Sequence, residues 1–122
     1  MDERMDISYL RLSKEDGDVE DGSIDESCSI QSQRTCIKQY LHRNGFSVDR
    51  LSEIIDDGYS GTTMNRPGMN RLIKLVESGK VRTIIVRDFS RFARSYLEAG
   101  HYLEFIFPVY NVRFISINDQ FD

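Results

Sequence analysis

Residues 81–95 read VRTIIVRDFSRFARS, an apolar β-branched run followed directly by a cluster of arginines. The first part, VRTIIVRD (81–88), predicts a strand apolar enough to lie inside a sheet. The second part places Arg87, Arg91 and Arg94 within nine residues of a chain whose formal net charge is -4. If a helix begins here, Arg91 and Arg94 share one of its faces. Such a cluster is either a solvated face paired with carboxylates or a binding site for an anion.

The segments around this strand predict three further strands, each separated from the next by a helix. The strands are expected at 6–13, 51–57 and 111–119. The helices are expected within 27–46, capped by Ser27 or Ser29 and stopped at Asn44-Gly45, then from Pro67 to Gly79, and from 95 to 107. This alternation is typical of α/β proteins. It predicts a mostly parallel four-stranded sheet with helices on both faces, a flavodoxin-like, doubly wound, three-layer domain.

Length and composition describe a single soluble domain. The chain has 122 residues, of which 39% are hydrophobic and 30% charged, and no apolar run approaches the roughly 20 residues of a membrane helix. The N-terminus lacks a signal-peptide pattern, and Cys28 and Cys36 are expected to be reduced thiols. We therefore expect a cytoplasmic protein without membrane association. There is no CxxC motif, and His42 and His101 are isolated, so no metal site is predicted.

The acidic net charge is concentrated in one segment. Residues 15–26, EDGDVEDGSIDE, hold seven acids and no base, so the remaining residues carry a formal charge of +3. The segment is expected to be a loop. Because charge is segregated in this way, the acidic pI does not exclude a nucleic-acid partner.

Polar residues follow the predicted strands at their carboxyl ends, where ligands bind in parallel sheets. Guanidinium groups bind phosphate bidentately and stabilise the charge that develops during phosphoryl transfer. They also favour the alkoxide form of a nearby serine. The pattern predicts a serine that attacks a phosphodiester without a metal. The candidate residues are Arg11, Ser13, Gln33, Arg66, Arg87, Arg91 and Arg94.

Four motifs in order carry a resemblance to a known family. They are YLRLS (9–13), SIQSQ (29–33), DDGYSG (56–61) with NRPGM (65–69), and RDFSRFAR (87–94). With these motifs the chain resembles, over nearly its whole length, the catalytic domain of serine recombinases, the resolvase and invertase family. It looks most like the branch of large serine recombinases found on mobile elements. The resemblance implies a resolvase-like fold.

The resemblance also implies a mechanism. Ser13 would attack a DNA phosphate, form a 5′-phosphoserine link and release a 3′-hydroxyl, and rejoining would need neither metal nor ATP nor another cofactor. Arg11, Arg66, Arg91 and Arg94 would hold the phosphate, with Gln33 helping to position it. Further candidates for contact with the DNA phosphate are Asp57, Ser60, Arg87 and Asp88. The implied partners are double-stranded recombination sites and further copies of the protein, as dimers that pair into a tetramer.

The chain departs from the family pattern in three respects. Ser90 stands where small resolvases carry an aspartate, with Asp88 two residues earlier. The acidic loop is longer than in small resolvases. Residues 1–122 resemble a fragment without the family's dimerisation helix and DNA-binding region, so we expect the isolated fragment to be inactive.

Other interpretations remain open from the sequence. The domain could be catalytically silent and act in assembly, or it could be a flavodoxin-like module that binds phosphate. Such a module predicts a glycine-rich loop after the first strand, where this chain is acidic. Among single residues, Arg11 could pair with Glu15 or Asp57, and Arg66 with Asp56 or Asp57.

Overall fold

The computed structural model describes residues 4–12, 29–57, 66–93 and 96–122, without the side chains of Asp57, Tyr96 and Glu98. In this part of the chain four strands form one sheet in which every pair of neighbours is parallel. The strands are β1 (Met5–Leu12), β2 (Leu51–Asp57), β3 (Val81–Val86) and β4 (Arg113–Ser116), in the order β2-β1-β3-β4. The predicted doubly wound α/β architecture is confirmed.

The helices follow the predicted alternation. They are α1 (Ile30–Arg43), α2 (Pro67–Glu77), the short α3 (Phe89–Phe92), α4 (Tyr96–His101), a π-helix (Tyr102–Ile106) and α5 (Phe107–Val109). The prediction of one regular helix from 95 to 107 was wrong in detail, because a π-helical segment interrupts it and α5 continues to Val109. The wider turn lies just before Pro108, which has no N–H to donate to the preceding turn.

The helices cover both faces of the sheet. On one face, Ile37 and Leu41 of α1 pack against Leu10, Ile85 and Ile115 of the strands. On the other face, a larger core joins α2, α3, α5 and the strands, with Leu72, Phe92, Phe107 and Phe114 among its buried members. Successive residues of a strand point to opposite faces, so Tyr9 and Arg11 are directed away from α1 and towards α2 and α3.

Local signals set the helix ends. The hydroxyl of Ser29, one of the two predicted caps, accepts a hydrogen bond from the amide of Ser32 at 3.0 Å. Gly45 and Gly79 have φ of +72° and +73° just after α1 and α2, a conformation that favours glycine. Both helices therefore end close to the predicted stops.

The last strand is shorter than the predicted 111–119. It begins only at Arg113 because Asn111 has a positive φ of 56°, and after Ser116 the chain turns back to form an antiparallel bridge with Phe121. Among the described residues, no helix has the length and hydropathy needed to cross a membrane.

Strand order places the candidate residues together. β1 is central and pairs with β2 on one side and β3 on the other. Arg11 lies opposite Asp56 in the β1–β2 register. The chain changes direction across the sheet at β1, which is where doubly wound sheets bind ligands at their carboxyl ends.

Candidate active site

Arg11 lies near the carboxyl end of β1 and is only 1% exposed. Its guanidinium donates from Nε to the carbonyl oxygen of Arg91 at 3.2 Å and from Nη2 to that of Ser90 at 2.8 Å. The two carboxylates predicted as its partners, those of Glu15 and Asp57, both lie outside the described part of the structure. The contacts described here join β1 directly to α3.

Gln33 supports the main chain at the same place. It is fully buried on the inner face of α1, as predicted. Its amide nitrogen donates to the carbonyl oxygen of Arg11 at 2.9 Å, and its amide oxygen accepts from the backbone N–H of Arg11 at 3.2 Å. Gln33 therefore fixes the backbone from which the Arg11 guanidinium extends.

Arg66 is also fully buried and occupies the N-cap position of α2. Its guanidinium donates from Nη1 to the carbonyl oxygen of Arg91 at 3.3 Å and from Nη2 to that of Phe92 at 2.6 Å. Its Cζ lies 5.6 Å from the centroid of the Tyr9 ring, a cation–π distance. Arg11 and Arg66 thus converge on one carbonyl oxygen, that of Arg91.

Arg91 completes the group. It is 4% exposed, and its Nη1 donates to the carbonyl oxygen of Arg11 at 3.2 Å. The next residue, Phe92, anchors α3 in the core, with its ring centroid 5.1 Å from that of Phe114 and 5.8 Å from that of Phe107. The guanidiniums of Arg11 and Arg66 therefore meet the carbonyl end of a short helix, where backbone oxygens carry partial negative charge, while the guanidinium of Arg91 extends back to β1.

Asp88 links two arginines of the cluster. Its carboxylate accepts hydrogen bonds from Arg87 Nε at 2.9 Å and from Ser90 Oγ at 2.5 Å, and it forms an ion pair with Arg91 Nε at 3.4 Å. Burial acts to raise the pKa of Asp88, but these hydrogen bonds and the charges of Arg91 and Arg87 outweigh it and hold the pKa below its ordinary value. Asp88 is therefore ionised at neutral pH.

Two acidic residues that the sequence did not single out as site residues hold the segments carrying the arginines. The buried carboxylate of Asp56 accepts hydrogen bonds at the start of α2, immediately after Arg66. Asp119 Oδ2 accepts from the backbone N–H of Phe89 at 2.6 Å and from Ser116 Oγ at 2.5 Å. The sequence could have indicated this role for Asp56. An arginine at an N-cap position cannot accept hydrogen bonds from the first N–H groups of its helix, so another residue must supply the acceptor.

Four predicted site residues lie outside what the structure describes. Ser13, Ser60 and Arg94 fall in the segments left out, and of Asp57 only the backbone is described. In the described segments, no group of three or more His, Cys, Asp or Glu side chains is placed to hold a metal ion. The described site is a set of buried guanidiniums at the carboxyl ends of β1 and β3, and its chemistry suits an anion.

The comparison with family models identifies the fold family. Residues 7–122 match the resolvase N-terminal domain. The chain belongs to this family. The resemblance predicted from the four motifs is thereby confirmed. The comparison with curated proteins found no significant match.

Solved structures agree with this assignment. The resolvase domain is similar to the N-terminal catalytic domain of TP901-1 integrase, with 25% identity, a TM-score of 0.76, and coverage of 96% of this chain and 79% of that chain. It is also similar to a resolvase family site-specific recombinase from Streptococcus pneumoniae, with 27% identity, a TM-score of 0.72, and coverage of 98% and 75%. A serine recombinase from Sulfolobus solfataricus, at 23% identity, shares the fold with a TM-score of 0.65 and coverage of 98% and 71%.

Ser90 stands where small resolvases carry an aspartate, and in this resolvase domain Asp88 supplies the nearby carboxylate. The side chain of Ser90 donates to Asp88, and Asp88 in turn pairs with Arg91. An acidic group is therefore present beside the first arginine of the R-x-x-R pair, although it comes from two residues before the position predicted from small resolvases.

Proposed function

We propose that this resolvase domain is the catalytic part of a site-specific DNA recombinase of the large serine branch, which exchanges DNA strands to integrate or excise a mobile element. The observation that carries the proposal is the convergence of Arg11, Arg66 and Arg91 at the carboxyl end of β1. Ser13 follows this strand in the chain by one residue.

The three arginines bring positive charge to one place, and a phosphate offers charged oxygens that guanidiniums bind in pairs. Among the described contacts, Arg11 and Arg66 donate to backbone carbonyl oxygens, whereas Arg91 donates to a carbonyl oxygen and also pairs with the Asp88 carboxylate. All three are at most 4% exposed. We infer that α3 shifts when DNA binds, so that the guanidiniums exchange carbonyl oxygens for the scissile phosphate.

In the proposed reaction, Ser13 Oγ loses its proton and attacks the phosphorus. The Oγ–P bond forms, the bond from phosphorus to the 3′-oxygen breaks, and that oxygen leaves as a 3′-hydroxyl after taking up a proton. Arg11, Arg66, Arg91 and Arg94 stabilise the charge on the phosphoryl oxygens. Rejoining is the reverse attack by the 3′-hydroxyl of an exchanged strand. Each step replaces one phosphoester bond with another, so the bond energy is kept and ATP is not required. In this proposal the guanidiniums, rather than a metal, stabilise the transferred phosphoryl group.

The proposal assigns different roles to the remaining residues. Gln33 acts through the main chain of Arg11, which it holds by both amide atoms. Asp88 orients Arg91, and Arg87 pairs with Asp88. Asp57 and Ser60 remain candidates for DNA contact from the resemblance. The partners are double-stranded recombination sites and other copies of the protein, which form dimers that pair into a tetramer, and we expect the isolated domain to be inactive.

The test uses the full-length protein and a nicked suicide substrate built from the ends of its own element. The protein is incubated with this DNA in EDTA, and a denaturing gel is examined for a covalent adduct, with Ser13→Ala beside the wild type. We expect an adduct that is absent from Ser13→Ala. An adduct that persists in Ser13→Ala would move the nucleophile elsewhere. Bound DNA without any adduct would favour a catalytically silent assembly domain.

A further inference from the structure

The buried carboxylate of Asp56, at the end of β2, is fully engaged with two other elements. It is 2% exposed. Oδ1 accepts from the backbone N–H of Gly68 at 2.7 Å, and Oδ2 accepts from that of Met69 at 2.9 Å and from the hydroxyl of Tyr9 at 2.7 Å. The same residue therefore joins β2 to the first turn of α2 and to the middle of β1.

Asp56 supplies the cap that α2 lacks. N-cap positions favour Ser, Thr, Asp and Asn, whose side chains accept from the first N–H groups of the helix. Here the N-cap residue is Arg66, whose side chain makes no capping bond. Because Asp56 caps the helix from the neighbouring strand, an arginine can occupy the N-cap position and direct its guanidinium to α3. The negative carboxylate also suits the positive end of the helix dipole.

Tyr9 extends the support to the side chain of Arg66. The Arg66 guanidinium lies over the Tyr9 ring, and the Tyr9 hydroxyl donates to Asp56. Burial is the main reason that the pKa of Tyr9 is raised above its ordinary value, which keeps the hydroxyl protonated and able to donate. The charge of Arg66 opposes this rise and the hydrogen bond to Asp56 adds to it, so both charged groups act on the same phenol.

We propose that Asp56, together with Tyr9, is a positioning residue that holds the backbone and the guanidinium of Arg66 where the scissile phosphate is bound. This inference rests on the proposed function. Gly68 indicates how closely the carboxylate fits, since a Cβ built there would lie 2.8 Å from the Asp56 carboxyl atoms. Because Gly68 lies two residues after Arg66, we expect a displacement of the Asp56 carboxylate to move the first turn of α2.

The experiment measures single-turnover adduct formation by the full-length protein on the suicide substrate, as a function of DNA concentration. For Asp56→Asn, we expect the rate at saturating DNA to fall roughly 10- to 100-fold, the loss typical of a misplaced catalytic group. The half-saturating DNA concentration should change less than about threefold, because Asp56 itself touches no DNA. The matched control is Asp6→Asn, another buried carboxylate, which pairs with Arg82 at the opposite end of β1.

A double-mutant cycle separates positioning from general destabilisation. If Asp56 acts through Arg66, then Asp56→Asn should slow an Arg66→Ala protein less than about threefold, since the group to be positioned is already missing. A loss of the same size in both backgrounds would overturn the inference. So would a saturating rate for Asp56→Asn that equals that of Asp6→Asn.

A second variant covers the case in which Asp56→Asn does not fold. Tyr9→Phe keeps the ring beneath Arg66 and removes only the hydroxyl bond to Asp56, so we expect a loss of roughly three- to tenfold that also vanishes in the Arg66→Ala background. Unchanged rates in Tyr9→Phe would then contradict the inference. Failure of the proposed function is distinguishable, because in that case the wild-type protein forms no adduct at all.

Discussion

Arg11 and Arg91 exchange hydrogen bonds between side chain and main chain, because each guanidinium donates to the carbonyl oxygen of the other residue at 3.2 Å. The exchange joins the carboxyl end of β1 to α3. It also sets two like charges close together, an arrangement that is costly in a protein interior unless acceptors surround it. The described acceptors are carbonyl oxygens of α3 for Arg11, and the carbonyl oxygen of Arg11 and the carboxylate of Asp88 for Arg91, so the geometry of the arginines and the position of this helix depend on each other.

This dependence predicts that Arg11→Lys loses stability as well as activity. A lysine ammonium cannot reach two carbonyl oxygens with the fixed geometry of Nε and Nη2. We expect the free energy of unfolding in urea to fall by roughly 1–3 kcal/mol, since buried acceptors lose their donors. Arg82→Lys is the control: the side chain of Arg82 is 37% exposed and lysine keeps the charge that faces Asp6, so the change should cost about 1 kcal/mol or less. Equal losses in the two variants would contradict the account.

Gly68→Ala tests the fit between Asp56 and α2. The added Cβ would meet the Asp56 carboxyl atoms at 2.8 Å, so the carboxylate or the helix must move. We expect a destabilisation of roughly 1–3 kcal/mol by denaturant unfolding, which is typical of overpacking. At Gly100 in α4, nothing lies within 4 Å of the added Cβ. Gly100→Ala should therefore stabilise the protein by up to about 1 kcal/mol through helix propensity, and destabilisation there would count against this argument.

Asp119→Ala tests the support at the other end of α3. The change removes the acceptor for the Phe89 N–H and for Ser116 Oγ. We expect about 1 kcal/mol of lost stability, as for other helix caps, and faster amide hydrogen exchange in residues 87–92. Asp49→Ala, at an exposed position before β2, is the control and should leave exchange in this segment unchanged. Unaltered exchange in Asp119→Ala would show that Asp119 does not hold α3.

The depressed pKa of Asp88 predicts a specific loss of stability in acid. A carboxyl group whose pKa is lower in the folded than in the unfolded protein stabilises the fold above the unfolded value, and this contribution disappears as pH falls through the folded value. The stability difference between wild type and Asp88→Asn should therefore be greatest near neutral pH and shrink in acid, as the pH falls through the ordinary pKa of an aspartate and then through the lower pKa of folded Asp88. The ion pairs of Glu53 with Arg34 and of Asp122 with Arg113 are common to both proteins and cancel. A difference independent of pH would contradict the assignment.

The sequence predicted the fold well because its signals are local and repeated. The apolar strands, the helix at Pro67 and the glycines after α1 and α2 each act within a few residues. The boundaries of β4 and the π-helical segment were missed. The limits of β4 depend on the positive φ of Asn111 and on a bridge from Ser116 to Phe121, and Pro108 in the sequence does not by itself show that the turn before it is π-helical.

The site was predicted in its residue types but not in its contacts. Parallel strands bring Arg11, Arg66 and Arg91 to one end of the sheet, which topology alone predicts. That their partners are carbonyl oxygens of α3 could not be predicted, because a four-residue helix gives little periodic signal. From the sequence, Asp56 was considered only as an ion-pair partner for Arg66. Its capping of α2 was missed because it depends on a contact with Gly68, 12 positions along the chain.

The central claim is that Ser13 is the residue joined to DNA, and mapping the covalent bond tests it most directly. The adduct formed with the suicide substrate is digested with nuclease and with a protease that cleaves before aspartate, and the residual nucleotide is located by mass spectrometry. The account predicts that it lies on Ser13 within the peptide of residues 6–15, not on Ser8, and that the released DNA strand carries a 3′-hydroxyl that a polymerase can extend. A nucleotide attached to any other residue, or a released strand with a 3′-phosphate, would contradict it.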